Sequence, residues 1–251
     1  MKKLRLSETK KEELNREADT WVRKFKTEYP LVKYPINDPF AEVEKLGYFI
    51  IAKKVESEIA GLQYKIGDDG YILINNNDDL GRQHHSLFHE VFHLYSGVGL
   101  GVHLKGESEY IESEYLADAF ASRLLMDRSL VQKYIDENRV NIEFLSHVDL
   151  IRMHNYFNVS YSNMAFVLKQ MFPDEFNPVM FAIGKLPRRS DLLKKTKDTS
   201  LSTKLSEVPE FDYITPSIFE TLSSNLESGR VSEERIEEIL DFFSEELNLG
   251  E

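Results

Sequence analysis

The 251-residue chain has no cysteine, which excludes a disulfide framework, a thiolate metal site and a cysteine nucleophile together. It also lacks any stretch approaching the roughly 18 to 20 apolar residues that a membrane-spanning helix needs. The opening MKKLRLSETKKEEL carries positive charge with no apolar run behind it, so no secretion signal is expected and the cytoplasm is the expected compartment. Positive charge is scarce overall. Thirty-one Lys and Arg stand against 43 Asp and Glu, a formal net charge of −12, the wrong sign for a general phosphate-binding footprint. Neither direct nucleic-acid binding nor membrane association is expected.

What remains is an ordinary globular composition, 41% hydrophobic and 12% aromatic, enough for one good-sized domain with or without an appendage. The acidity is uneven: from Leu186 onward, 15 acidic residues face 8 basic ones, which marks the C-terminal part as a solvated unit. Leu14, Ala18, Trp21, Val22, Phe25 and Tyr29 follow a 3.6-residue period, with Thr9 and Glu12 spaced as a capping box and Pro30 as the stop. YFIIAKKV reads as a strand, and AGLQYKIGDDGYILINN as a hairpin turning at GDDG. Helices are expected over 79–95, along SEYLADAFASRLLM, and around 128–138, 142–157 and 160–172, with KLPRRSDLLKKTKDTSLSTK as a polar linker. In VSEERIEEILDFFSEEL, an apolar stripe of Ile236, Ile239, Leu240, Phe243 and Leu247 follows the cap Ser232. The resulting division is an N-terminal helix over 1–35, a central domain over 36–185, and a linker plus acidic helical region over 186–251. The fold class is α+β and mainly helical, with a small sheet and a helical C-terminal tail.

The chemistry concentrates in HHSLFHEVFHLYSG, positions 84–97, which holds four of the seven histidines. His89 and His93 lie four apart, one turn above each other on a helix, with Glu90 directly after the first. This H-E-x-x-H spacing lets two imidazoles reach one ion, while Glu90, rotated about 100°, stays off it. A catalytic zinc site wants three protein ligands and an open position. EYLAD on the next helix supplies Glu114 as third ligand and, a turn later, Asp118 to accept a hydrogen bond from the far nitrogen of a ligand histidine. Glu112 competes with Glu114 but has no carboxylate four residues on. Glu90 is then the general base that takes a proton from the activated water and passes it to the departing amine. His84 and His85 are read as structural. His103, Tyr115, His147 and His154 are unranked candidates for steadying the oxyanion. Zinc suits such a site, with manganese or iron as other occupants.

RQHHSLFHEVFHLYSG, EYLADAFASRLLM and, more weakly, YFNVSYSNMAFVLKQM resemble the ImmA/IrrE metallopeptidases, a gluzincin-like family, over roughly residues 36–172. Arg82 stands where that family has an arginine ahead of the motif. Glu114, Ala117, Phe120, Ala121, Leu124, Leu125 and Met126 match its second pattern, and YILINN its preceding strand. Two positions depart: the family often has Phe where this chain has His85, and Gly where Phe92 stands. The resemblance implies a zincin-like core, a small sheet packed on the active-site helix, with His, His and Glu as ligands and the motif glutamate as base. It also implies a protein substrate, a helix-turn-helix transcriptional repressor that members cut or otherwise relieve.

Three functional readings follow. The first is an intracellular zinc endopeptidase acting on such a repressor. The second is a non-hydrolytic regulator that binds and displaces a DNA-binding repressor, against which the intact Glu90 weighs. The third takes LIRMHNYFNVSYSNMAFVLKQM as a DNA-reading helix pair, disfavoured by its few basic residues. The acidic tail is either an amphipathic helix folded back on the core or a docking arm for a basic substrate.

Overall fold

The computed structural model describes residues 6–30, 34–56, 59–100, 108–175 and 189–247. Among these are ten α-helices, one 3-10 turn and four strands in a single mixed sheet, a mainly helical α+β fold. No described helix is long and apolar enough to cross a membrane.

The first helix, α1 (Glu8–Glu28), starts two residues before the Thr9–Glu12 expectation, because the Ser7 hydroxyl already accepts the Lys10 amide proton at 3.2 Å. Asp38 caps α2 (Pro39–Lys45) in the same way. Three strands follow: β1 (Phe49–Lys53), β2 (Gly61–Ile66) and β3 (Asp69–Asn75), the last two forming the expected hairpin, with Gly67 at φ +60° in the turn. β3 pairs antiparallel with β2 on one side and parallel with β1 on the other, in register Ile50 to Ile72 and Ala52 to Ile74. Side chains alternate across a strand, so these four share one face, and all four are buried.

Onto that face packs α3 (Leu80–Ser96), through Leu87, Phe88, Val91 and Leu94. Each such side chain contributes roughly 1.5–3 kcal/mol when fully buried. The approach is close: a β-carbon on Gly61 would lie 2.8 Å from the Glu90 carboxylate, and one on Gly70 3.1 Å from Leu94. α4 (Ser108–Leu125) lies against α3, and α1 packs on α4 and, through Trp21 and Phe25, on α3 as well. Phe92 fills the junction between these helices. It is fully buried, with ring centroids 5.9 Å from Trp21 and 5.1 Å from Phe120. α1 therefore belongs to the packing behind the histidine helix.

α5 (Arg128–Asn138), α6 (His147–Phe157) and α7 (Tyr161–Met171) complete the body. Ser146 and Asp149 form a reciprocal capping box on α6, and Ser160 caps α7. The stretch expected as a polar linker contains α8 (Arg189–Asp198). Its helical signal is one buried pair, Leu192 and Thr196, surrounded by charge, and the Thr196 hydroxyl donates to the Leu192 carbonyl.

Residues beyond this point enter the fold three times. Glu207, just past the 3-10 turn, accepts the Leu80 amide proton at the start of α3. β4 (Tyr213–Ile214) then pairs antiparallel with β1, giving the sheet order β2-β3-β1-β4. After α9 (Ser217–Glu227), α10 (Glu233–Glu246), capped by Ser232 as expected, brings Phe243 and Leu247 against Ile214, Phe49 and Ile51 on the sheet face away from α3. The acidic helix thus folds back on the sheet through its apolar stripe.

Candidate metal centre

The histidine helix is fixed at both ends. The Asp79 carboxylate accepts the Arg82 amide proton at 3.0 Å, and Gly97, at φ +74°, closes the helix by donating to the His93 carbonyl. Between these caps the helical repeat stacks His85, His89 and His93 on one side.

The outer nitrogen of each motif histidine has an acceptor. His93 Nδ1 lies 2.7 Å from the Val98 carbonyl, and His89 Nδ1 lies 2.9 Å from Asp118 Oδ1. A carbonyl or carboxylate oxygen can only accept, so each ring carries a proton on Nδ1, which leaves Nε2 as the nitrogen that can serve a metal. The two Nε2 atoms stand 3.2 Å apart. Glu114 closes the triangle, with Oε2 3.5 Å from His89 Nε2 and Oε1 3.6 Å from His93 Nε2. Three ligands tetrahedrally disposed at about 2.0–2.1 Å from one ion stand about 3.3 Å from each other. Three ligand atoms facing one point at that spacing can hold a cation among them, and the donor set fits a divalent metal.

The electrostatics agree. Burial pulls the His89 imidazole down, but the bonds to Asp118 and Glu114 outweigh it and hold the ring up at about 10. His93 shifts the other way: burial and the neighbouring His89 ring lower it against the pull of the Val98 carbonyl. The Asp118 carboxyl, exposed overall but desolvated where it faces the imidazoles, is drawn upward on that account, yet its contacts with His85 and His89 hold it well below the usual carboxylate range. The pocket is thus built for positive charge.

The two glutamates lie on different faces of α4. Glu112 points to α1 and pairs with Lys10 at 3.1 Å, whereas Glu114 joins the two imidazoles. Glu90 sits beside the triangle and outside it, only 7% exposed. Burial pushes its carboxyl up to about 7, the His89 charge opposing and the Glu114 charge adding to the shift.

The remaining histidines divide. His84 is buried, its Nδ1 2.9 Å from the Asn158 carbonyl, and burial brings it down to about 4. His85 is not isolated packing: its Nε2 lies 3.3 Å from Asp118 Oδ1, the atom that His89 also uses. Of the oxyanion candidates, Tyr115 donates to Asn15, His147 meets the Tyr161 hydroxyl at 2.6 Å, and His154 is fully buried against the Val159 carbonyl. His103 lies outside the described residues. Arg82 is largely exposed and faces Asp78 at 3.4 Å. Two glycines were not legible as site residues: Gly61 against Glu90, and Gly99, where a β-carbon would lie 2.8 Å from His93 Nδ1. The only sequence signal for the second is the glycine-rich loop after the helix.

No curated protein matches this chain. The model of the IrrE N-terminal-like domain, the Peptidase M78 family, matches residues 43–169, half of the chain, spanning three of the four strands, both metal-centre helices and most of α7. The chain belongs to this metallopeptidase family.

Proposed function

We propose that this protein is a zinc-dependent endopeptidase of the cytoplasm, with His89, His93 and Glu114 as metal ligands, Glu90 as general base and Asp118 holding His89. The observation that carries the reading is the triangle of three converging ligand atoms, 3.2 to 3.6 Å on a side, next to a carboxyl that takes no part in it. A divalent ion bound there supplies Lewis acidity toward a peptide carbonyl and toward water at neutral pH.

The protein's own groups do the rest. Asp118 and the Val98 carbonyl hold both imidazoles with Nε2 turned inward. Glu90, buried and poised near neutrality, takes a proton from the attacking water and delivers it to the departing amine nitrogen. Without that delivery the amine is a poor leaving group and the peptide bond re-forms. The substrate class, a helix-turn-helix repressor, is supported by the family resemblance, and the formal charge of −12 suits a basic, DNA-binding partner.

The test is cleavage of purified helix-turn-helix repressors by the zinc-loaded chain, with fragments read by mass spectrometry and zinc content by elemental analysis. Wild type is expected to cut, and Glu90→Gln to retain one zinc while losing at least a hundredfold in rate. Equal cleavage by both proteins would remove Glu90 from the mechanism. Zinc-loaded wild type that displaces a repressor from DNA without fragments would favour non-hydrolytic regulation.

A further inference from the structure

We propose that His85 and Asn163 are positioning residues for the metal centre, holding Asp118 against His89 from outside the ligand triangle. The inference rests on the metal-centre reading above and extends it to two residues that neither the H-E-x-x-H spacing nor the glutamate helix points to.

The argument is a chain of hydrogen bonds whose direction is fixed link by link. The Ser122 hydroxyl, on α4, donates to Asn163 Oδ1 at 3.4 Å, which leaves the amide nitrogen of Asn163 free to donate elsewhere. That nitrogen lies 3.1 Å from His85 Nδ1. An amide nitrogen only donates, so His85 Nδ1 accepts and the ring proton sits on Nε2. His85 Nε2 then donates to Asp118 Oδ1 at 3.3 Å, and His89 Nδ1 donates to the same oxygen at 2.9 Å. Two imidazole N–H groups from successive turns of α3 converge on a single carboxylate oxygen contributed by α4.

This matters because Asp118 needs help to stay in place. Its side chain is 63% exposed, and an exposed carboxylate held by one hydrogen bond is free to swing into solvent. A second donor on the same oxygen restricts that motion and keeps the carboxylate where it fixes the His89 tautomer. Asn163 is itself anchored, since its backbone amide donates to the Ser160 hydroxyl in the first turn of α7. The chain therefore ties α7 to a ligand on α3 through α4. His85 takes no part in the triangle, as its Nε2 is committed to Asp118.

The experiment measures zinc affinity of the full chain by competition with a chromophoric chelator, in a double-mutant cycle. Asp118→Ala is expected to weaken zinc binding at least tenfold, and His85→Phe by about tenfold, within the range for groups that orient metal ligands. In the Asp118→Ala background, His85→Phe is expected to add less than a further twofold. Asn163→Ala, which leaves His85 and Asp118 intact, is expected to weaken binding in the same direction, by about threefold. It carries the same cycle if His85→Phe fails to fold. Equal losses in both backgrounds would mean that His85 acts by packing alone, and unchanged affinity would mean that it does not act; either overturns the inference while leaving the metal centre standing. A wild-type chain that takes up no zinc would bring down the metal centre first, and this inference with it.

Discussion

Gly61 leaves the space that the Glu90 side chain borders. A β-carbon at Gly61 would stand 2.8 Å from Glu90 Oε1 and 3.0 Å from its Cγ, so the first residue of β2 can only be glycine while the carboxylate keeps its present place. The side chain is the flexible partner and would yield to an added methyl group. Gly61→Ala is therefore expected to fold and to bind zinc as wild type does, while shifting the Glu90 carboxylate. Displacement of a catalytic group by about 1 Å costs on the order of a hundredfold in rate. Peptide cleavage at matched zinc occupancy checks this, and an unchanged kcat would mean that the contact has no part in placing the proposed base.

Gly99 constrains the other side of the centre. It adopts φ +74°, strained for any residue with a side chain, and a β-carbon there would lie 2.8 Å from His93 Nδ1 and 3.2 Å from the Ser113 Cβ. The neighbouring Val98 carbonyl is the acceptor that sets the His93 tautomer. Gly99→Ala is expected to lower folding stability by about 1–2 kcal/mol and to weaken zinc binding roughly tenfold by pushing the ring off its acceptor. Denaturant unfolding of the metal-free protein and chelator competition separate the two effects. A variant with wild-type zinc affinity would show that the ring tolerates the shift.

Phe92 carries the packing behind the ligands. Fully buried, it meets Trp21 edge-on, Phe120 at 5.1 Å and the His93 ring at 5.8 Å. Truncating a buried phenylalanine costs about 3–5 kcal/mol, and here the cavity would open between α1, α3 and α4. Phe92→Ala is expected to lose stability in that range by urea unfolding. A loss under 1 kcal/mol would mean that α1 closes over the gap.

Zinc is expected to stabilise the chain by mass action, since the ligand triangle exists only in the folded state. At a free concentration a hundred times the dissociation constant the gain is about 2.7 kcal/mol. Removing the metal with a chelator should lower the melting temperature, and re-adding zinc should restore it. His93→Ala should melt at one temperature with or without zinc. A wild-type melt insensitive to both treatments would count against the centre.

Much of this site was legible in the residues because it depends on short-range spacing. His89 and His93 differ by one helical turn, and Glu114 and Asp118 by another, so helix geometry alone brings each pair to one face. Choosing Glu114 over Glu112 followed from that logic. The hairpin and most helices were legible for the same reason, through period and caps. What escaped notice depends on contacts remote in sequence. β4 is two residues long and gains its identity only by pairing with β1, about 160 residues earlier. α8 buries one apolar and one hydroxyl side chain amid lysines, too little for a periodic signal. His85 looked like filler because its partners, Asp118 and Asn163, come from two other helices. Gly61 reveals itself only once a helix is laid across it.

Two buried imidazoles outside the centre give the fold an acid weakness. Burial brings both His84 and His154 down to about 4, against about 6.5 in an unfolded chain. At His154 the bonding pattern explains why the neutral ring is needed: Nδ1 faces the Val159 carbonyl at 3.0 Å, and Nε2 accepts from the Asn155 amide nitrogen at 3.2 Å. A second ring proton would point at a donor. Because the folded-state value is depressed for a base, the unfolded chain binds more protons between pH 6.5 and 4, and stability falls as the pH drops through that window. Each ring is expected to cost roughly 2 kcal/mol at pH 5 relative to pH 7. His154→Asn keeps a donor for Val159 and removes the titration. Urea unfolding at both pH values should show its pH-dependent loss smaller than that of wild type by about that amount. An identical loss in the two proteins would mean that His154 is not where the acid sensitivity resides.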